Sequence, residues 1–290
     1  MTVSLANKAN RFVVVLSYFC IDLHAAARHI AVMLPSLFVS HGAPTLPLED
    51  CPATDFLKSL AGTLPHPRAI LAVSAHWDTE IPSVNHVAIN ETIHDFYGFP
   101  EALYRLRYPA PGSFALADRT MELVASAGLQ VGVDGSRGLD HGAWVPLLLM
   151  YPHADIPVVQ LSVQSPLGPA HHIRLGRALT ALRNEDVLVL ATGSFTHNLR
   201  TMNRSRIDAP EPVWSQEFSA WIHGALVEGR TDDLVAYRRL APHAAVAHPE
   251  DDHFMPLFVA YGAGGDAPKA TRLHQSTTYG SLRMDAYAFE

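Results

Sequence analysis

Cysteine is nearly absent from this sequence: among 290 residues only Cys20 and Cys51 carry a thiol. Two thiols make neither a four-thiolate zinc knot nor the staples of a small secreted scaffold, so a reducing cytoplasm is the expected compartment. Charge is sparse as well, with Lys, Arg, Asp and Glu at 17% and a formal net charge of −7. No long block of one sign and no basic stripe suited to a phosphate backbone appears, which argues against nucleic acid as a partner. No apolar run reaches the roughly 20 residues that a membrane helix needs, so no membrane partner is expected. A Gly-x-Ser-x-Gly elbow is also missing, which weakens any reading of Ser74 or Ser194 as a nucleophile beside His197.

Against these shortages stand 48% hydrophobic residues and 17 histidines. The first is enough to bury a full core in a large domain. The second is the anomaly, because imidazole is both a metal ligand and a proton carrier near neutral pH.

Residues 1–32 differ from the rest. Lys8 and Arg11 precede an apolar run at 12–21, and small residues follow at 25–27, an arrangement that imitates a secretory leader. Ser17 and Tyr18 interrupt the run, so the segment reads as an N-terminal extension outside the fold, with the globular domain spanning 33–290.

From Leu34 onward, short runs of branched apolar residues at 37–39, 69–75, 158–163 and 187–191 read as buried strands, bounded by Gly and Pro. Helical periodicity marks 114–127, 170–182 and 213–226. The alternation predicts a single α/β domain with a central, mostly parallel or mixed sheet flanked by helices. Segment 80–112, rich in Pro, Tyr and Phe with little periodicity, reads as a long loop or arm over the site.

Ligands in open α/β sheets bind beyond the carboxyl ends of the strands. Three of the predicted strands end in histidine there: Ser40-His41-Gly42, Ser74-Ala75-His76-Trp77 and Gly193-Ser194-Phe195-Thr196-His197-Asn198. Two more histidines, in Asp140-His141 and Asp252-His253, open predicted helices whose Asp serves as N-cap and whose Pro is tolerated in a first turn. The helix dipole disfavours an imidazolium at that end, and a neutral imidazole is the form that binds metal. Such donors suit iron, zinc, copper or nickel and not calcium or magnesium. About three protein ligands would leave open positions, the arrangement of a catalytic site.

Six motifs occur in order: Ser40-His41-Gly42-Ala43-Pro44; Ser74-Ala75-His76-Trp77; His94-Asp95-Phe96-Tyr97-Gly98-Phe99-Pro100; Leu139-Asp140-His141-Gly142-Ala143-Trp144; Gly193-Ser194-Phe195-Thr196-His197-Asn198; and His248-Pro249-Glu250-Asp251-Asp252-His253-Phe254. Together they resemble the class III extradiol ring-cleavage dioxygenases, specifically the 4,5-DOPA dioxygenase branch, over residues 33–290. The resemblance implies one divalent metal ion, Fe(II) for activity with Zn(II) as another ion the site could bind. It implies a small aromatic diol and O2 as substrates, a muconic semialdehyde as product, and a place in the catabolism of aromatic compounds. It carries His41, His76 and His253 over as the metal shell, and His197 as a fourth ligand or an adjacent acid–base residue. His141 would lie beside the substrate. One branch of the superfamily uses glutamate as third ligand, so Glu250 stays open, though the Asp-His-Phe context favours His253. Tyr97, Phe99 and Tyr104 could wall an aromatic ring, and Asn198 could orient His197. A zinc hydrolase and a non-catalytic binding relative are the rival readings, and the association of identical copies is left open.

Overall fold

A computed structural model of the protein describes residues 33–290. The extension expected at 1–32 lies outside the described residues. Ten strands are described: β1 Ser36–Ser40, β2 Ala69–Asp78, β3 Ser83–Asn85, β4 Gly132–Asp134, β5 Val158–Val163, β6 Val187–Gly193, β7 Ala270–His274, β8 Thr277–Thr278, β9 Leu282–Arg283 and β10 Ala286–Phe289. The α-helices are α1 Pro52–Leu60, α2 Glu101–Tyr104, α3 Phe114–Ser126, α4 His141–Met150, α5 Gly168–Ala178, α6 Val213–Val227, α7 Thr231–Val235, α8 Tyr237–Leu240, α9 Ala244–Ala247 and α10 Met255–Ala263.

Eight strands form one sheet in the order β4, β3, β5, β2, β6, β1, β10, β7. Its centre, β5-β2-β6-β1, is parallel. The flanks are mixed: β10 is antiparallel to both β1 and β7, and β3 is antiparallel to β5 while parallel to β4. β8 and β9 pair separately. The predicted single α/β domain with a mostly parallel, mixed sheet is thus the observed fold.

The central strands read as unbroken apolar runs because both faces of the sheet are covered. Phe38, Leu71, Val73, Val159, Leu161, Val187 and Val189 belong to one core, which they share with residues of α3, α5, α6 and α10. Their neighbours Leu37, Val39, Ile70, Ala72, Val158, Leu188 and Leu190 belong to the other, shared with α1 and α4. The period of 2 thus separates the two cores.

Helix ends follow local chemistry. Ser113 caps α3 by accepting from the Leu116 N–H, and Asp140 caps α4 by accepting from the Ala143 N–H. The helix expected at 170–182 is α5, broken at Ala178 into a 3-10 turn over Thr180–Glu185. Three expectations need correction. Asp252 caps no helix: it is the first residue of a 3-10 turn over Asp252–Phe254, and its carboxylate goes to the His253 ring. Pro146 is the sixth residue of α4, not part of its first turn. The arm at 80–112 is not structureless, since it holds β3 and α2. Asn90 explains the order there: its side-chain amide donates to the carbonyls of Ala110, Pro111 and Val158, and its Oδ1 accepts from Asn85. Side chains thereby satisfy backbone groups that no ladder reaches.

Among the described residues no helix is long and apolar enough to cross a membrane.

Candidate active site

At the carboxyl edge of the parallel strands a cavity of about 550 Å³ opens, and five histidines line it: His41, His76, His141, His197 and His253. Each arrives by a different route. β1 ends at Ser40 and delivers His41, whose backbone N–H donates to the Gly193 carbonyl at the end of β6. β2 runs on past its predicted end to Asp78, and its register against β5 shifts between Val73 and Asp78. His76 lies within that irregular stretch, and bulges of this kind re-aim side chains beside active sites. His141 is the first residue of α4. His253 sits in a 3-10 turn over Asp252–Phe254 that leads straight into α10. His197 follows β6, with its backbone N–H bonded to the Ala247 carbonyl at 2.8 Å.

Ring nitrogens of His41, His76 and His253 all lie within 4.8 Å of one another. The Nε2 atoms of His76 and His253 are 3.2 Å apart. His253 presents Nδ1 to the Asp252 carboxylate at 2.8 Å, so its Nδ1–H donates there and Nε2 carries a lone pair. His41 likewise places Nδ1 2.9 Å from the Gly42 carbonyl. Its Nε2 is buried and has no hydrogen-bond partner. A buried acceptor in that state is costly unless a cation meets it. Metal–nitrogen bonds of about 2.0–2.1 Å at near-tetrahedral angles place ligand nitrogens roughly 3.2–3.4 Å apart. The His76–His253 pair stands at that spacing and a His41 nitrogen lies within 4.8 Å of both, so the three imidazoles could hold one divalent ion.

Electrostatics agrees with neutral ligands. Burial, and then the neighbouring imidazoles, hold His41 and His253 well below the ordinary histidine range. Burial and the adjacent His141 bring His76 to about 4, against the pull of Asp140 and Asp95. Burial, with His76 and His141, takes His197 to about 4.

Behind the rings stand carboxylates. Asp95 accepts from the His141 ring at Nδ1, 3.0 Å, and from the His141 backbone N–H, 2.9 Å. Its other oxygen is 3.5 Å from His76 Nδ1. Burial alone would raise the Asp95 carboxyl, but the His141 hydrogen bonds and the nearby His76 outweigh it and hold it at about 2. Asp95 is thus ionised and fixes His141 with its Nε2 free. Asp140, fully buried, accepts from Ser74 and Arg137 and from the Gln160 amide, which ties α4 to β2 and β5.

The sequence profile of the catalytic LigB subunit of aromatic ring-opening dioxygenase matches residues 35–289. The chain belongs to that family. It is 47% identical over 259 residues to a 4,5-DOPA dioxygenase extradiol of Beta vulgaris, covering 88% of this chain and 96% of that one. A 4,5-DOPA dioxygenase extradiol of Escherichia coli strain K12 is 40% identical over 254 residues, 87% of this chain and 93% of its own. A solved structure of an uncharacterized Escherichia coli K12 protein superposes with a TM-score of 0.74 at 35% identity, covering 89% of this chain and 100% of that one.

Within this ring-opening family site, the structure gathers some predicted residues and leaves others out. One ring nitrogen each of His41, His76 and His253 lies within 4.8 Å of the others, close enough that the three could hold one ion. His197 groups instead with Asp252 and His253, and His141 with His76 and Asp95. Glu250 is exposed and lines a different surface hollow. Of the three loop aromatics only Phe99 lines the cavity; Tyr97 points to solvent, 90% exposed, and Tyr104 packs against His94 and Phe96. Asn198 does not orient His197, because its amide donates to the Val246 carbonyl and its Oδ1 accepts from Arg200 N–H. Neither candidate serine bonds an imidazole: Ser74 donates to Asp140 and Ser194 to the Thr196 carbonyl. Asp95 and Asp252 are the partners that sequence reasoning did not assign. The signal was present in His94-Asp95 and Asp252-His253, since ligating histidines commonly give their second nitrogen to a carboxylate.

Proposed function

We propose that this family member opens the ring of a DOPA-like catechol with O2, breaking the carbon–carbon bond beside the diol to give a muconic semialdehyde. The observation that carries this reading is the convergence of three imidazoles, among them His41 with a buried and unpartnered Nε2, on the wall of a cavity that has aromatic and aliphatic sides. His41, His76 and His253 would hold one divalent ion, Fe(II) in the active enzyme, and the same nitrogens suit Zn(II). The chemistry such an ion would supply there is a common anchoring point for the diol and O2 and a means of sharing charge between them.

The remaining chemistry belongs to side chains. His141 Nε2, left unprotonated by the Asp95 hydrogen bond, is placed to take a catechol hydroxyl proton. His197, neutral through burial, faces the same cavity and can hold or return a proton. Phe99, Leu199, Met202 and Leu282 supply apolar wall, which shields the reacting centre from water. Both atoms of O2 enter the product, so no external reductant is required. The two cysteines keep a reducing cytoplasm as the proposed compartment.

The test is anaerobic reconstitution with Fe(II), followed by oxygen uptake and product absorbance against a panel of catechols. Stoichiometric O2 consumption with ring-opened product is the expected result. A protein that consumes no O2 with Fe(II), yet hydrolyses esters or amides with Zn(II), would overturn it.

A further inference from the structure

We infer that Arg204 is a specificity-determining residue of this cavity and receives a carboxylate on the substituent of the catechol. The inference rests on the catechol-opening reading and adds where the far end of the substrate goes.

Among the described cavity-lining residues Arg204 is the one permanent cation, and Asp252 is the one carboxylate. Asp252 is already bonded to the His253 ring. The five imidazoles lie at the histidine end, while Arg204 is solvent-exposed and therefore belongs to the mouth. A diol bound at the histidines would direct its ring substituent along the apolar wall toward that mouth.

The backbone carrying Arg204 is held in place. Asn203 N–H donates to the Tyr279 carbonyl at 3.0 Å, and Tyr279 N–H donates to the Ile207 carbonyl at 2.8 Å. Both ends of the short segment around Arg204 are therefore pinned to one residue, which itself lines the cavity. Between them Arg206 N–H closes a turn on the Asn203 carbonyl, and Asn203 Oδ1 accepts from Ser205. The neighbouring cation is already engaged, since Arg206 pairs with Asp208. Arg204 makes no ion pair among the described residues, so its guanidinium fork is available. Guanidinium matches carboxylate geometry with two parallel hydrogen bonds, which makes the contact selective rather than a diffuse attraction.

The experiment measures binding of 3-(3,4-dihydroxyphenyl)propanoate and of neutral 4-ethylcatechol to the anaerobic Fe(II)-loaded protein by calorimetry. Turnover of both is followed in parallel. Wild type should prefer the carboxylate by about tenfold, the scale of one charge-assisted hydrogen-bonded pair. Arg204→Gln should lose that preference through the carboxylated ligand alone, leaving 4-ethylcatechol binding and the melting temperature unchanged. Arg204→Lys should restore part of it, and rising salt should erode it in wild type and Arg204→Lys but change nothing in Arg204→Gln. No preference in wild type, or equal losses for both ligands in Arg204→Gln, would overturn the inference. Intact preference without turnover would sink the catechol-opening reading and leave Arg204 in its binding role.

Discussion

His197 lies flat against His253, with ring centroids 3.5 Å apart and planes within 9° of parallel. Lone pairs of imidazole lie in the ring plane, so two stacked rings aim along separate, parallel planes. The lone pairs of the two rings therefore do not converge on one point, and an ion held by His253 would not also be held by His197. The stack therefore favours His197 as the proton-handling residue and His253 as the ligand. On this reading His197→Gln keeps its metal and loses on the order of 100-fold or more in turnover. Metal content and turnover measured on one sample decide it. Loss of metal would restore His197 to the ligand shell, and unchanged values for both would make it a bystander.

The sequence exposed the parallel centre of the sheet well, because a strand buried on both faces must be apolar throughout, as 187–191 is. It exposed the histidines too, since polar residues directly after such a strand need a reason to be there. It did not expose the antiparallel flank. β7 leaves Thr271 exposed, so its pattern is not that of a buried core strand, and β10, though buried throughout, is only four residues long, too short to stand out as a strand. Nor could spacing reveal that Asp95, in an arm without periodicity, reaches His141 across 46 residues. That contact depends on Asn90 anchoring the arm to α3's leading segment and β5, a tertiary arrangement with no local period. Likewise Glu250 and Asp252 look interchangeable as neighbours of His253, and only the 3-10 turn directs one inward and the other to solvent.

Gly142 gives a second test, because it packs behind the proposed ligands. A Cβ there would stand 2.3 Å from Ser74 Oγ and 2.8 Å from the His76 ring carbon Cδ2. Gly142→Ala must therefore displace His76 or break the Ser74–Asp140 hydrogen bond. Overpacking of this kind costs about 1–3 kcal/mol, which is a fall of several degrees in Tm for a domain of this size. Metal affinity should fall at least tenfold in addition, since a supporting contact of a ligand is lost. Gly62→Ala is the control, as no atom lies within 4 Å of its Cβ position. Titration with Fe(II) under argon and thermal melts compare the two. Equal metal affinity in both variants would show that His76 is not a ligand or that the site yields without cost.

Acid should destabilise the fold through His172, which stands away from the candidate site. Its ring is fully committed: Nδ1 is 2.7 Å from the Gly168 carbonyl and Nε2 accepts from the Gln164 N–H at 3.1 Å. A second proton would have to displace Gln164 N–H in a dry environment. Burial lowers the ring to about 4, with the nearby His171 adding to it against the Gly168 hydrogen bond. In the unfolded chain the same ring titrates near about 6.5. Between those values the unfolded state holds more protons, so stability rises with pH there. The contribution is complete above about pH 6.5 and is lost as pH falls toward 4, amounting to roughly 3 kcal/mol. His248, buried and lowered to about 3 mainly by desolvation, acts in the same direction. Replacing His172 with Gln should lower stability at pH 7.5 yet flatten its slope between pH 6.5 and 4, because one titrating ring is gone. Urea unfolding of the metal-free protein across that window, wild type against His172→Gln, separates the His172 contribution from that of the other histidines by difference. Parallel slopes for the two proteins would mean that His172 keeps its proton affinity on folding.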